Sequence, residues 1–379
     1  MENYHITKAL KWAEEKQTEF KDLLYTLCAI PAPSGHEEKR AAFCKEWLVS
    51  KGAEGAYIDE ALNVIFPYCD NGGEVTMFMA HTDTVFPDTK PFDVIERDGI
   101  AYCPGIGDDT INLAELMMTV AYVLENGMKP DRGIIFVCNS CEEGLGNLKG
   151  SRAAVEKYGS RMKEFYTFDG QLNAVVVKAV GSKRYRIEVK TEGGHSFNAF
   201  GNANAIEQLA SVVVELYKIS IPQKPNTKTT MNVGTFSGGT SVNTIAQQAE
   251  MLFEYRSDDR ECMNIMDWQF NKVIESARVN GIDITVETVG ERPCMGDVDP
   301  IAQAALTDKC VSLLKKYHNG DIALNPGSTD CNIPWSQGIP SVCIGGYIGG
   351  GAHTREEYAR LDSFEPGLKM VMECILSSF

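Results

Sequence analysis

The chain has 379 residues, with 36 Lys and Arg against 52 Asp and Glu, a formal charge of −16. That acidity argues against a nucleic-acid partner, because phosphate binding relies on clustered basic residues, and against docking to an anionic membrane surface. No apolar run approaches the ~20 residues that span a bilayer. Met1-Glu2-Asn3-Tyr4-His5 has neither the basic start nor the apolar core of a signal peptide, so the 12 cysteines are expected as reduced thiols in a cytoplasmic protein.

In chain order, residues 5–28 carry a helical period, and 37–51 read as a second helix after the turn Pro31-Ala32-Pro33-Ser34-Gly35. A buried strand is expected at 75–80, an apolar helix at 109–125, and strands at 133–139, 164–168 and 175–177. The style changes at about residue 181. A strand at 185–191, a helix at 204–218, strands at 230–236 and 251–256, a helix at 264–279 and a strand at 283–289 follow in the order β-α-β-β-α-β. That order is the pattern of a ferredoxin-like sandwich. From 301 the first style resumes, with a helix at 301–316, a short strand at 341–344 and a closing helix at 355–376. The expected architecture is α/β: a helix-covered, mostly parallel mixed sheet from 1–180 and 291–379, with 181–290 inserted as a separate domain. Residues 181–290 hold 11 basic and 13 acidic residues, leaving 25 and 39 for the rest, so the acidity is concentrated in the larger domain.

Chemistry-bearing residues recur at the ends of expected strands. The strand at 75–80 runs into His81-Thr82-Asp83, Gly105-Ile106-Gly107-Asp108-Asp109 opens a helix, and 133–139 leads to Cys141-Glu142-Glu143-Gly144. The strand at 164–168 ends in Asp169-Gly170, and Gly349-Gly350-Gly351-Ala352-His353 precedes the last helix. Taken singly, each motif is more often a polar loop start, a helix cap or a solvated turn. Five of them at element ends in one α/β architecture point to the crevice where such sheets bind ligands. Imidazole and carboxylate donors together suit Zn²⁺ and related divalent ions, and a shared carboxylate would build a two-metal site.

These motifs, Ala80-His81-Thr82-Asp83-Thr84-Val85, Gly107-Asp108-Asp109, Cys141-Glu142-Glu143-Gly144-Leu145-Gly146, Phe168-Asp169-Gly170 and Ala352-His353-Thr354, resemble those of the co-catalytic zinc peptidases. That family includes peptidase T, glutamate carboxypeptidase, aminoacylase and succinyl-diaminopimelate desuccinylase, and peptidase T is closest in style. The resemblance implies that His81 and Asp169 hold one zinc and Glu143 and His353 the other, with Asp108 bridging. It also implies Asp83 behind His81 and Glu142 as general base. Co²⁺ or Mn²⁺ are the alternative metals. In the inserted domain, Gly193-Gly194-His195-Ser196 matches a segment whose histidine donates to the developing oxyanion, commonly across a dimer. Asn243 and Arg256 match substrate contacts, as do Ser328 and Thr329 of Gly327-Ser328-Thr329-Asp330. Thr110-Ile111-Asn112 departs from the Lys-Gly or Lys-Ala that many members carry after the paired aspartates.

The implied function is zinc-dependent hydrolysis of small peptides by a di- or tripeptide aminopeptidase, assembled as a homodimer through the inserted domain. An N-acyl-amino-acid deacylase or carboxypeptidase is the nearest alternative. A non-catalytic binding module, or a thiol redox protein using Cys138-Asn139-Ser140-Cys141, is the remote one.

Overall fold

The computed structural model describes residues 2–379, with side chains from His5 onward. Contacts divide the chain into two compact units, one of Met1–Ala179 and Gly296–Phe379 and one of Val180–Met295.

The first unit opens with α1 (Glu2–Glu15), α2 (Gln17–Cys28) and α3 (Glu38–Ser50), then β1 (Tyr57–Ile58), β2 (Val64–Tyr68), β3 (Val75–His81), β4 (Ile95–Arg97) and β5 (Ile100–Tyr102). It continues with α4 (Asn112–Glu125), β6 (Gly133–Asn139), α5 (Lys149–Tyr158), β7 (Met162–Phe168) and β8 (Ala174–Ala179). The second unit holds β9 (Gly181–Lys190), β10 (Gly194–His195), α6 (Ala205–Leu216), β11 (Thr229–Gly238), β12 (Thr244–Ile245), β13 (Gln248–Ser257), α7 (Arg260–Val279) and β14 (Asp283–Arg292). The chain then returns to the first unit through α8 (Pro300–Tyr317), β15 (Ala323–Gly327), α9 (Asn332–Ser336), β16 (Ser341–Ile344), β17 (Gly349–Gly350), β18 (Tyr358–Arg360) and α10 (Phe364–Leu376).

An eight-stranded sheet ordered β1-β2-β6-β3-β7-β16-β8-β15 forms the first unit's centre. The pairs β6/β3, β3/β7, β7/β16 and β8/β15 are parallel, whereas β2/β6 and β16/β8 are antiparallel. All seven residues of β3 and of β6 are buried. A strand covered on both faces needs such an unbroken apolar run, and Val-Thr-Met-Phe-Met-Ala and Gly-Ile-Ile-Phe-Val-Cys supply it. Phe78 stacks across the sheet on Tyr166 with centroids 4.9 Å apart. The fold class is therefore the α/β class expected from the alternating pattern.

In the second unit a four-stranded antiparallel sheet, β11-β13-β9-β14, packs the buried alternate residues of β13 against α6 and α7. Asn204 caps α6 by accepting from the N–H groups of Ile206 and Glu207, and Asp259 caps α7 through Cys262 N–H.

Three local expectations are corrected. The helix expected at 5–28 breaks at Lys16 into α1 and α2. The helix expected from 109 begins at Asn112, because Ile106–Ile111 forms an irregular turn containing a cis Asp108-Asp109 bond. The closing helix begins at Phe364 rather than 355, because Tyr358–Arg360 pairs as β18 with β5 and β17 in a small separate sheet.

Candidate metal centre

His81 is the last residue of β3, Asp169 follows the end of β7, and Glu142 and Glu143 follow β6 by three and four residues. These strands are neighbours in the sheet, so the topology alone gathers their side chains at one edge. The irregular turn before α4 brings in Asp108, and the segment after β17 brings in His353, whose φ is +65°.

Asp108 is the hub. His81 Nε2 lies 3.1 Å from its Oδ1, and His353 Nε2 lies 3.1 Å from its Oδ2. One carboxylate thus faces two imidazoles, one through each oxygen. Asp169 Oδ1 is 4.0 Å from His81 Nε2, and Glu143 Oε1 is 3.0 Å from His353 Nε2. Donor atoms of His81, Asp108 and Glu143 lie within 4.8 Å of one another, as do those of His81, Glu142 and Asp169. The structure therefore brings together His81, Asp108, Glu142, Glu143, Asp169 and His353.

The donors fit a divalent cation. All are imidazole nitrogens or carboxylate oxygens. Glu143 Oε1 is buried without a hydrogen bond, although His353 Nε2 is 3.0 Å away, so the two are close without being bonded to each other.

Electrostatics follow from crowding anions into a buried pocket. Burial opposes a charge on His81, yet Asp109, Asp108 and Asp83 hold its pKa well above the usual imidazole value. The Asp108 and Glu143 carboxylates beside it push His353 up to about 10. Burial acts against ionisation of Asp108, but His353 and His81 keep its carboxyl below the ordinary range. Asp169 goes the other way, pushed up to about 7 by burial and by the charge of Asp108.

The supporting shell is equally specific. His81 Nδ1 lies 3.0 Å from the carbonyl of Asp83 and 3.4 Å from its Oδ1. The same carboxylate accepts from the N–H groups of Glu142 at 3.0 Å and Glu143 at 2.9 Å, so Asp83 ties the β3 and β6 termini together. Asn112, in the stretch that departs from the family pattern, donates to Asp109 Oδ1 at 2.7 Å and to the Gly170 carbonyl at 3.2 Å. Its Oδ1 accepts from Gly346 N–H at 2.7 Å. Asp109 in turn accepts from His81 N–H at 2.9 Å.

Two further buried glutamates hold the segments of the centre in place. Glu357 accepts from Gly105 N–H at 2.7 Å, Gly107 N–H at 2.9 Å and Asp108 N–H at 2.8 Å, holding the turn that presents Asp108. Burial pushes its carboxyl up to about 7 against the pull of those N–H groups. Glu37 accepts from Gly35 N–H at 2.8 Å and Cys141 N–H at 3.0 Å. Neither has a local signal: Glu356-Glu357 falls in the stretch that reads as the closing helix, and Glu37-Glu38 at the start of a helix.

Of the other expected residues, Thr329 is buried, accepting from Cys331 N–H through its hydroxyl and donating its own N–H to Asn332. Ser328 precedes it after β15. His195, Asn243 and Arg256 belong to the second unit. His195 of β10 pairs with Thr244 of β12, and Ser196 N–H donates to the carbonyl of Asn243 in the turn just before β12, so the two residues are near each other. His195 Nδ1 accepts from the N–H groups of Phe197 and Asn198, which leaves Nε2 to carry the proton. Arg256 forks onto Glu254 at 2.9 and 3.0 Å.

Cys138 and Cys141 are both buried. Contact with Cys44 and burial raise the Cys138 thiol well above its usual value, and burial pushes Cys141 up to about 12. A reactive thiol needs the opposite shift, so the pair is unsuited to redox exchange. Among the described residues, no helix is long and apolar enough to cross a membrane.

A helix-covered parallel sheet whose carboxyl edge gathers imidazoles and carboxylates around one shared aspartate defines a metal-binding hydrolase. The chain belongs to peptidase family M20/M25/M40, whose family model matches residues 77–377, and it is an enzyme acting on amide bonds. It is 23% identical over 315 residues to the Bacillus subtilis (strain 168) protein YqjE, covering 79% of each chain. Its fold is similar to that of a tripeptidase from Staphylococcus aureus subsp. aureus Mu50, with a TM-score of 0.73 and 21% identity over 96% of this chain and 98% of that one. It is also similar to a dinuclear metal-binding M20 peptidase from Bacillus subtilis, with a TM-score of 0.63 and 16% identity over 97% of this chain and 100% of that one.

Proposed function

We propose that the protein is a cytoplasmic, zinc-dependent aminopeptidase of di- and tripeptides, with two Zn²⁺ ions per subunit. The observation that carries the reading is the double engagement of Asp108, one oxygen toward each histidine. Asp108 would be shared, with His81 and Asp169 on one side and Glu143 and His353 on the other. Such ions supply Lewis acidity toward the amide carbonyl and lower the pKa of a water. Glu142, buried and covalently next to Glu143, would accept a proton from the attacking water and return it to the leaving amine. Asp83 fixes the orientation of His81 and the backbone at Glu142 and Glu143. His195, with its Nε2 proton free, donates to the developing oxyanion from its own or the partner subunit. Asn243, Arg256, Ser328 and Thr329 seat the substrate, Arg256 by exchanging Glu254 for a substrate carboxylate. The second unit is the homodimer contact.

The test is a panel of tripeptides, dipeptides and N-acyl amino acids assayed with and without chelator. Chelator-sensitive turnover that requires a free α-amine is expected. A requirement for a free α-carboxylate with blocked amines accepted would replace the aminopeptidase by the deacylase or carboxypeptidase reading, and turnover unaffected by exhaustive chelation would remove the metal.

A further inference from the structure

Thr110-Ile111-Asn112 follows directly on the paired aspartates, and Asn112 has no place in the expected ligand set. It is fully buried at the first position of α4. An asparagine at a helix start ordinarily caps the helix by accepting from the N–H groups of its first turn. This one does not: α4 has no side-chain cap, and all three bonds of the amide leave the helix. Burying an amide is costly unless it is bonded, and an apolar residue would suit the surroundings, since Leu113, Ala114, Leu116 and Met117 are buried beside it. The side chain is there for what it joins.

Its bonds run between the carriers of one pair of expected ligands. His81 N–H donates to Asp109 Oδ2 at 2.9 Å, and Asp109 Oδ1 accepts from Asn112 Nδ2 at 2.7 Å. The other hydrogen of Nδ2 goes to the carbonyl of Gly170, next to Asp169, at 3.2 Å. Two side chains outside the ligand set thus link the end of β3 to the end of β7. Asn112 Oδ1 completes the arrangement by accepting from Gly346 N–H at 2.7 Å, two residues beyond Ile344, whose carbonyl accepts from Asp169 N–H at 2.9 Å. With two acceptors at Nδ2 and a donor at Oδ1, only one orientation of the amide satisfies all three bonds. Among the described residues, no bond of Asn112 reaches the segments of Glu143 or His353. Glu143 N–H donates to Asp83 instead, and the shared Asp108 rides on the turn held by Glu357.

We infer that Asn112 is a positioning residue for one half of the metal centre. Through Asp109 and Gly170 it fixes His81 relative to Asp169, and it leaves the Glu143 and His353 half alone. The inference rests on the two-metal reading proposed above.

The experiment reads metal affinity rather than turnover. Zn²⁺ is titrated in competition with a chromophoric chelator into His353→Ala protein, which keeps the His81 and Asp169 half, and into Asp169→Asn protein, which keeps the Glu143 and His353 half. Adding Asn112→Ala to the first should weaken binding ~10–100-fold, the usual effect of losing a group that orients a ligand. Adding it to the second should change binding by less than about twofold. Urea unfolding of the metal-free proteins registers the ordinary cost of the three lost bonds, which is the same in both backgrounds. An amide with only a structural role would show that cost and weaken both halves alike. Equal weakening in the two backgrounds, or none in the first, overturns the inference. If the Ala variants do not fold, the same two comparisons are made with Asn112→Asp, which keeps the volume and the bond from Gly346 N–H but gives no hydrogen to Asp109 or Gly170. A wild type that takes up a single Zn²⁺ refutes the two-metal reading instead, and the role of Asn112 then stands or falls on the first comparison alone.

Discussion

Replacing Glu357 by Gln tests how the metal centre is held rather than what it does. The carboxylate is 1% exposed and is the acceptor for three N–H groups of the turn that presents Asp108. Gln keeps one oxygen, enough for Gly107 and Asp108, but turns an NH₂ toward the Gly105 N–H that now donates at 2.7 Å. One buried donor is left unsatisfied, costing about 1–3 kcal/mol, and the remaining two bonds lose their charge assistance. Glu357→Ala strands all three donors and opens a cavity, for at least about 3 kcal/mol. Because Asp108 rides on this turn, metal affinity in the Gln variant should fall ~10–100-fold, as for other residues that orient a ligand. Urea unfolding of the metal-free protein reads the first effect, and competition with a chromophoric chelator reads the second. A Gln variant with wild-type metal affinity and an unchanged urea midpoint would refute the argument. The Ala variant cannot substitute for it, since failure to fold would hide the metal effect.

The remaining predictions concern catalysis and pH. Glu142→Ala should keep its metal by elemental analysis and lose ~10²–10⁴-fold in turnover; near wild-type turnover would remove Glu142 as the base. Glu115 is fully buried on α4, and neither carboxyl oxygen has a hydrogen bond, so burial alone holds its pKa well above 4.5. Its contribution to stability is complete below the unfolded pKa and is lost as pH rises toward the folded one, by up to about 1.4 kcal/mol per pH unit. Glu115→Gln should therefore unfold later than wild type at pH 8 but not at pH 4, and parallel curves at both pH values would contradict it. Asp70 behaves oppositely: its Arg161 partner lowers the carboxyl from 3.8 to about 2. That contribution is present above pH ~4 and disappears as pH falls toward 2, and for this partly exposed pair it is about 1 kcal/mol. The urea midpoints of wild type and Asp70→Asn should accordingly differ at pH 6 and converge near pH 2.

Legibility in the sequence followed the range of the interactions. The α/β class could be read because β3 and β6 are each buried along their whole length, and a central parallel strand must then be one unbroken apolar run. The same logic brought His81, Glu142, Glu143 and Asp169 together, since each lies at or just after the end of a recognisable strand. What failed was set by distant partners. Tyr358–Arg360 was read as helix because its pairing is with Ile100–Tyr102, more than 250 residues away, and three residues of strand carry no period of their own. The start of α4 was placed three residues early because Asp108 and Asp109 resemble an N-cap and its neighbour, whereas their backbone is non-helical and serves to aim Asp108.

The acidity of the chain shows the same division at the level of single residues. Asp83, Asp109, Glu142 and Glu143 are buried acids that lie in strand-end motifs and could be collected by eye. Glu37, Glu115 and Glu357 are equally buried, yet each sits in a stretch that reads only as helix, with no strand-end motif to mark it. Glu37 and Glu357 answer to backbone N–H groups over 100 and about 250 residues away, so only the fold reveals them as acceptors. Glu115 answers to none, and its side chain is walled instead by Gly346 and Gly367, where a Cβ would fall 1.8 and 2.5 Å from its oxygens. A carboxyl enclosed so tightly stays protonated, because ionisation without a partner in that space is too costly. Part of the formal charge of −16 is therefore not expressed at the surface. Divalent cations held at the metal centre would offset a further share of it.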